Sequence, residues 1–211
     1  MTIADFPPLP RRGLYAVTGG AGDLATLRRQ VEAAIDGGAV MVQYRDKAAS
    51  AAERAQRAPA LVSACHARGV PLVVNDDVEL AVASAAAGVH LGRDDGSLAR
   101  ARARLGAGRI IGVSCYDSLD SAYLAVAGGA SYVAFGSCFE SRTKPHARSC
   151  DLDIFAAAAA ALTVPVVAIG GITPENAGLV LTAGAHLLAV IGALFDSDES
   201  TAAARAFARQ F

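Results

Sequence analysis

The segment QYRDK at 43–47 carries three polar side chains at alternate positions: Gln43, Arg45 and Lys47. In a β-strand, alternate residues point to the same face, so this spacing can place one amide and two cations together. Such a set suits a polyphosphate or a carboxylate ligand, which cationic donors bind strongly. On this motif alone, a solvated strand edge with surface charges is the more frequent explanation.

A second group of residues offers oxygen donors: Asn75, Asp76 and Asp95. A small number of oxygen ligands fits Mg2+, which keeps several waters and is often shared with substrate phosphates. Helix capping is an equally good explanation for each residue taken singly, because Asp76 or Asp77 and the residues 94–97 precede helical stretches. Considered together, Asp76 and Asp95 favour a metal site.

Two glycine-containing turns could bind phosphate through backbone N–H groups. Gly170 and Gly171 precede Thr173 and a predicted helix, and Ile191-Gly192 follows the last apolar run. Backbone N–H groups at the start of a helix attract anions. Tight turns also need glycine for conformational reasons, so Gly-Gly alone is a weak signal.

The segment 136–150 is a long loop that contains Ser141, Arg142, Thr143 and Lys144. It could act as a lid that brings hydroxyls and a cation over a site, or it could be an ordinary surface loop. His90 lies within an apolar run, where packing or positioning is a more frequent role than proton transfer.

These residues follow the apolar runs of a repeating pattern in which a short β-rich run, a polar or glycine turn and an Ala-rich helical stretch alternate. The pattern predicts eight strands, at 13–17, 40–44, 71–74, 89–91, 110–113, 132–135, 166–169 and 187–191. It predicts helices at 23–36, 49–68, 77–86, 97–104, 118–127, 151–161 and 174–183, and a last helix from near Ala193. The strands lack alternating polar residues, as expected of strands buried on both faces.

Eight such units fit either a closed barrel or an open doubly wound sheet. No G-x-G-x-x-G follows the first strand, which weakens the dinucleotide-binding version of the open sheet. The prediction is therefore a single-domain (β/α)8 TIM barrel over residues 1–211. In this fold, function lies at the C-terminal ends of the strands, where the polar clusters occur.

Composition narrows the class of protein. The chain has 211 residues, of which 53% are hydrophobic, and a formal net charge of −1. That charge predicts no nucleic-acid partner and no membrane partner. The uncharged run 154–172 is broken by Pro165, so an Ala-rich helix and a strand are expected there. Four cysteines without a C-x-x-C pair favour a reduced, cytoplasmic protein, and a homo-oligomer is left open.

The ordered set of motifs resembles the thiamine-phosphate synthase family, also called thiamine-phosphate pyrophosphorylase. The matching motifs are QYRDK at 43–47, VND at 74–76, VHLG-x-x-D at 89–95, GVS at 112–114, S-x-TKP at 141–145 and AIGGIT at 168–173. The resemblance covers nearly the whole chain. It implies a Mg2+-dependent transferase that joins 4-amino-2-methyl-5-(diphosphooxymethyl)pyrimidine to a thiazole phosphate, giving thiamine phosphate and pyrophosphate.

The resemblance also implies roles for individual residues. The expected metal ligands are Asp76 and Asp95, and Arg45, Lys47 and Lys144 are expected to act on the leaving diphosphate. The full expected substrate-binding set is Gln43, Tyr44, Arg45, Asp46, Lys47, Asn75, Ser114, Ser141, Arg142, Thr143, Lys144, Gly171, Ile191 and Gly192. Within the family, a pyrimidine-methyl cation is captured by the thiazole nitrogen, which requires no general base.

This chain departs from the usual family pattern in three places. It has Glu140-Ser141 where Pro-Thr is frequent, Arg93 where Gln is frequent, and Ile191-Gly192 where Val-Ser is frequent. The last change removes a hydroxyl from the expected phosphate site. A thiazole tautomerase on the same fold is the nearest alternative function, but it would need an acid–base residue and no diphosphate or metal set. A noncatalytic phosphate-binding barrel is the alternative of another class.

Overall fold

The structure is a computed structural model that describes residues 6–19, 22–93, 95–140, 150–196 and 199–211. Eight strands alternate with helices along the chain. The strands are β1 (Gly13–Val17), β2 (Ala39–Tyr44), β3 (Leu72–Asn75), β4 (Gly88–Leu91), β5 (Ile110–Tyr116), β6 (Tyr132–Phe135), β7 (Val166–Ile169) and β8 (Leu187–Val190). The helices are α1 (Leu24–Asp36), α2 (Ala51–His66), α3 (Val78–Ala83), α4 (Leu98–Leu105), α5 (Leu119–Ala127), α6 (Asp153–Ala161), α7 (Ala177–Thr182), α8 (Gly192–Phe195) and α9 (Ser200–Ala208).

The strands form one closed barrel in chain order, and each neighbouring pair is parallel. The first strand closes the ring on the last, with Gly13 paired to Leu187 and Ala16 paired to Val190. Closure confirms the predicted (β/α)8 TIM barrel and excludes the open doubly wound sheet. All eight predicted strands are present.

The predicted helices are confirmed with small changes of bounds, except at the end of the chain. There the single helix expected from near Ala193 is two helices, α8 and α9. The uncharged run 154–172 divides into α6 and β7, as expected. Within the described ranges, no helix combines the length and the apolar character needed to cross a bilayer.

Period-two alternation along the strands creates two apolar cores. The outer core lies between the strands and the surrounding helices and includes Val42, Tyr44 and Val74. The inner core fills the barrel and includes Tyr15, Met41 and Tyr132. Side chains that point inward near the C-terminal end of a strand therefore reach the floor of the barrel mouth, and outward-pointing ones contact helices.

Local hydrogen bonds fix where the helices begin next to this mouth. Ser50 and Glu53 form a reciprocal capping box at the start of α2. The Asp77 carboxylate accepts a hydrogen bond from the N–H of Leu80 at 2.9 Å, so Asp77 caps α3 and Asp76 does not. This capping bond holds the chain that follows β3 in place and leaves the neighbouring Asp76 free of a capping role.

Candidate active site

The barrel mouth contains a cavity of about 960 Å³. Ten of the twelve predicted site residues that the structure describes line this cavity: Gln43, Arg45, Lys47, Asn75, Asp76, Asp95, Ser114, Gly171, Ile191 and Gly192. Tyr44 and Asp46 do not line it. Four further predicted residues, Ser141, Arg142, Thr143 and Lys144, lie outside the described residues. The closed barrel thus brings together side chains from distant parts of the sequence.

The two predicted residues that miss the cavity point outward. The Asp46 side chain is fully buried. Its carboxylate accepts hydrogen bonds from the Arg57 guanidinium at 2.6 Å and from the N–H of Ala49 at 3.0 Å. Tyr44 is 1% exposed and packs in the outer core. Strand alternation directs both side chains away from the large cavity, and their contact with a substrate stays a prediction.

A buried threonine positions the cationic end of β2. The Thr18 hydroxyl donates to the carbonyl oxygen of Arg45 at 2.8 Å and accepts from the N–H of Arg45 at 2.9 Å. Both backbone groups of Arg45 are thereby paired just past the end of β2. Sequence reasoning missed Thr18, because nothing in its local sequence indicates the strand position that it contacts.

Two carboxylates lie close together on the next strand ends. The pKa of Asp76 is raised to about 6, first by burial and then by the neighbouring Asp95 carboxyl, while Lys47 acts in the opposite direction. The Lys47 ammonium is 3.9 Å from the Asp76 carboxylate. Two acidic groups with one exposed cation nearby form an environment in which a bound cation would be stabilised.

Backbone geometry supports a special role for Asp76. Its φ of 64° lies in the left-handed region, which is uncommon for residues other than glycine. The Asp76 N–H donates to the carbonyl oxygen of His90 at 2.8 Å, which holds this conformation. Asp95 accepts a hydrogen bond from the N–H of Gly92 at 2.7 Å, while the cap position of α4 is Ser97. The capping alternative therefore fails for Asp76 and Asp95.

The chemistry of the two carboxylates can be compared with the ligands that a metal requires. Within the described residues, no group of three or more His, Cys, Asp and Glu side chains is arranged to hold an ion. A pair of carboxylates still fits Mg2+, because this ion commonly binds one or two carboxylates and completes its shell with waters and phosphate oxygens. The donor chemistry and the crowding of negative charge are therefore compatible with Mg2+.

The floor of the cavity is polar and hydrogen-bonded. His90 is buried, and its two ring nitrogens contact the Tyr132 hydroxyl at 2.8 Å and the Ser114 hydroxyl at 2.9 Å. Burial lowers the pKa of His90 to about 4, so the imidazole is neutral at neutral pH. A neutral imidazole with both nitrogens hydrogen-bonded is suited to positioning its neighbours. The tyrosines on the floor, Tyr15 and Tyr132, were missed.

The opposite wall of the cavity holds the glycine turns. Gly170 and Gly171 both have positive φ values, 99° and 63°, which explains why glycine is needed there. Next to Gly192 lies a carboxylate: a β-carbon at position 192 would be 2.8 Å from Asp196 Oδ2. This anion stands beside the position where the sequence predicts phosphate binding, and Asp196 was not among the predicted residues.

Tyr116 and Arg93 form a further part of the rim. The Arg93 guanidinium lies 4.4 Å from the centre of the Tyr116 ring, an arrangement typical of a cation–π contact. Tyr116 has a φ of 58° and follows an irregularity in the pairing of β5 with β6. The bulge turns this side chain toward the cavity, which sequence patterns alone do not reveal.

Fold and site together define a (β/α)8 barrel with a polar cavity at its mouth, as in enzymes of this fold. Comparison with known proteins identifies the class more closely. A family model described as thiamine monophosphate synthase matches residues 14–194. The chain belongs to the thiamine-phosphate synthase family, whose members are transferases.

Individual relatives are similar in sequence to this chain over nearly their full length. A thiamine-phosphate synthase of Chromobacterium violaceum is 55% identical over 199 residues, covering 94% of this chain and 96% of that protein. Another, from Methylobacillus flagellatus, is 48% identical over 211 residues and covers 100% of both chains. The solved structure of thiamine phosphate pyrophosphorylase from Pyrococcus furiosus is 31% identical, with a TM-score of 0.84 and 95% of each chain covered.

Proposed function

We propose that the enzyme joins the pyrimidine diphosphate to the thiazole phosphate and releases pyrophosphate, with both substrates bound in the barrel mouth. The observation that carries this proposal is a single cavity with two different walls. One wall offers Arg45, Lys47 and the Asp76–Asp95 pair, which suit a metal-bound diphosphate. The other offers the glycine turns, which suit a monophosphate. Binding both substrates in one cavity supplies proximity.

Mg2+ is the proposed cofactor, and Asp76 and Asp95 would hold it. When bound, it would neutralise charge on the diphosphate oxygens. Arg45 and Lys47 would contact the same leaving group, where stabilisation of developing negative charge accelerates bond breaking. Lys144 is expected from its motif to add a third cation, Ser141 and Thr143 are expected to bind near the thiazole phosphate, and Arg142 is expected to contact substrate.

The proposed chemistry is a substitution at the pyrimidine methylene carbon. The carbon–oxygen bond to the diphosphate breaks, and its electron pair leaves with the oxygen. The thiazole nitrogen then supplies its lone pair to form the carbon–nitrogen bond. Since no proton is transferred in these steps, a site without a free general base is adequate. A neutral His90 that is hydrogen-bonded through both nitrogens agrees with this requirement.

The tautomerase alternative requires an acid–base group in the thiazole half of the site. The residue after the GVS motif is Cys115, which is 1% exposed, and burial raises the pKa of its thiol to about 12. A thiol in this state exchanges protons poorly at neutral pH. The structure therefore favours the synthase over the tautomerase, and the retained charged residues argue against a noncatalytic barrel.

The decisive experiment is incubation of the protein with both substrates and Mg2+, followed by detection of thiamine phosphate and pyrophosphate. Formation of both products in equal amounts supports the proposal. Isomerisation of a thiazole phosphate without consumption of the diphosphate would support the tautomerase. Ligand binding without turnover, in protein whose fold is verified by circular dichroism, would support the noncatalytic barrel.

A cytoplasmic location is proposed on the state of the cysteines. Cys65, Cys115, Cys138 and Cys150 are all free and buried. Unpaired thiols are typical of proteins from reducing compartments. The proposed partners are small-molecule substrates, and no nucleic acid or membrane partner is expected.

A further inference from the structure

An unbroken row of hydrogen bonds crosses the inside of the barrel beneath the mouth. Gln43 Nε2 donates to the Tyr15 hydroxyl at 2.8 Å, and the Tyr15 and Tyr132 hydroxyls are 2.7 Å apart. His90 continues the row, with Nδ1 2.8 Å from the Tyr132 hydroxyl and Nε2 2.9 Å from Ser114 Oγ. Five side chains from five different strands therefore form one chain, whose ends Gln43 and Ser114 line the cavity.

The barrel makes room for this row. Tyr132 is fully buried, and a β-carbon added to Gly112 would overlap both the ring and the hydroxyl of Tyr132. The ring planes of Tyr15 and Tyr132 are perpendicular, which brings the two hydroxyls together. The Tyr132 ring also stacks on His90, at 5.6 Å between ring centres. Gly112 is therefore needed for space, and ring packing orients Tyr15, Tyr132 and His90.

Counting protons gives the row a direction. The Gln43 amide nitrogen can only donate, so the Tyr15 oxygen accepts and its single proton must go to Tyr132. Tyr132 then has its own proton available for Nδ1 of His90. An Nδ1 that accepts carries no proton, so the imidazole proton is on Nε2 and is donated to Ser114. Each buried polar group on the path is thereby satisfied.

The direction determines what each end presents to the cavity. Ser114 accepts from His90, so its own hydroxyl proton is free to be donated to a ligand. Gln43 uses its amide nitrogen for Tyr15, so its carbonyl oxygen is free to accept from a ligand. We propose that Tyr15, Tyr132 and His90 are positioning residues that fix Ser114 as a donor and Gln43 as an acceptor, and thereby select an amino-substituted nitrogen heterocycle.

This inference rests on the proposed function, in which Gln43 and Ser114 bind the pyrimidine diphosphate. An aminopyrimidine offers an N–H donor on its amine and acceptor nitrogens in its ring, which matches this pattern. Its oxo counterpart offers a carbonyl acceptor and a ring N–H, which opposes it. Buried polar groups that are left unpaired by the wrong ligand give strong discrimination, so the row would be a specificity device.

The first test measures selectivity in Tyr132→Phe, which keeps the ring but removes the hydroxyl in the middle of the row. The readout is kcat/KM for the aminopyrimidine diphosphate divided by that for the analogue with an oxo group in place of the amine. We expect this ratio to fall by about tenfold or more, since one hydrogen bond of fixed direction is lost. The control is Ser84→Ala, which removes a buried hydroxyl outside the barrel that donates to the carbonyl oxygen of Leu80 at 2.7 Å, and we expect it to keep the wild-type ratio.

A second measurement needs no variant. In the wild-type enzyme, nitrogen NMR of labelled histidine should show His90 protonated on Nε2 and not on Nδ1. His90→Gln, which can still donate to Ser114, should retain more selectivity than His90→Leu. An Nδ1-protonated His90, or an unchanged ratio in an active Tyr132→Phe enzyme, would overturn the inference. Failure of the wild-type enzyme to form product would instead contradict the proposed function. The NMR measurement would still test the direction of the hydrogen bonds, because it does not depend on turnover.

Discussion

The side chain of Thr18 bonds both backbone groups of Arg45, through one oxygen atom that donates at 2.8 Å and accepts at 2.9 Å. Thr18 is 1% exposed, so water has little access to these bonds. The residue therefore connects the end of β1 to the cationic end of β2. The same contact therefore stabilises the barrel rim and holds the backbone of Arg45, a residue that is expected to bind diphosphate.

We predict that Thr18→Val destabilises the protein by about 1–3 kcal/mol, because it leaves a partly buried N–H and a partly buried carbonyl of Arg45 without their protein partner. We also expect a lower kcat/KM for the pyrimidine diphosphate, because Arg45 is no longer held in place. Urea unfolding and steady-state kinetics measure the two effects. Thr18→Ser keeps the hydroxyl and is the control; equal behaviour of the two variants would contradict the role of this bond.

The metal proposal predicts a specific defect in Asp95→Asn. The amide oxygen can still accept the hydrogen bond from Gly92, so the fold should be retained, but one charge of the metal pair is lost. The Mg2+ concentration that gives half-maximal rate should rise by about tenfold or more. Asp77→Asn is the matched control, since Asp77 caps α3. An unchanged Mg2+ titration and unchanged turnover in Asp95→Asn would show that the metal is placed wrongly.

The buried imidazole predicts a pH dependence of stability. Burial lowers the folded-state pKa of His90 to about 4, below the unfolded value of about 6.5. The unfolded chain therefore binds the proton more tightly between these values, and stability falls as the pH drops through this window. At pH 5 the contribution of His90 should amount to a loss of about 2 kcal/mol relative to pH 7.5.

The measurement for this prediction is urea unfolding of the wild type and His90→Gln between pH 7.5 and pH 5, without added Mg2+. Subtracting one profile from the other removes the contribution of other titrating groups that the two proteins share. The wild type should lose more stability on acidification than the variant. Parallel profiles would mean that His90 is not held neutral in the folded protein.

The carboxylate beside Gly192 predicts a substitution that improves binding. Asp196 lies next to the expected phosphate site. Its carboxylate and a bound phosphate carry charges of the same sign, so they repel each other. Asp196→Asn should lower KM for the thiazole phosphate by about two- to fivefold at low salt, with a smaller effect at high salt. Its KM for the pyrimidine diphosphate should hardly change.

A control for this charge change is Asp36→Asn, because Asp36 ends α1 at the opposite face of the barrel. It alters net charge by the same amount but should leave both KM values as they are. If Asp196→Asn instead raises KM for the thiazole phosphate, the carboxylate has a binding role and the phosphate is placed elsewhere.

Local sequence patterns were sufficient to predict the barrel and much of its mouth. Apolar runs separated by helical stretches define the strands, and the ends of parallel strands lie at one face. The same alternation that places Gln43, Arg45 and Lys47 at the cavity explains why Tyr44 and Asp46 do not line it. The motif QYRDK predicts five contacts, and only every second residue of a strand faces this cavity.

The residues that sequence reasoning missed depend on contacts between distant strands. Tyr15 and Tyr132 are 117 positions apart, and each alone resembles an ordinary core tyrosine. Asp196 directly follows the short helix α8 and lines the cavity, a position that no local motif indicates. Tyr116 depends on a bulge that apolar periodicity does not indicate. In each case the information lies in the closed geometry of the barrel and is absent from the local pattern.

The pairing of β1 with β8 has a consequence for how the molecule is assembled. During synthesis, β1 emerges long before its partner, so one of its edges has no strand to pair with until β8 is available. Contacts so far apart in sequence slow folding, and an open strand edge invites association with other chains. Ribosome-bound intermediates that lack β8 should therefore depend on chaperones more than full-length chains do. Once β8 pairs with β1, the barrel is closed and no strand edge remains open to other chains.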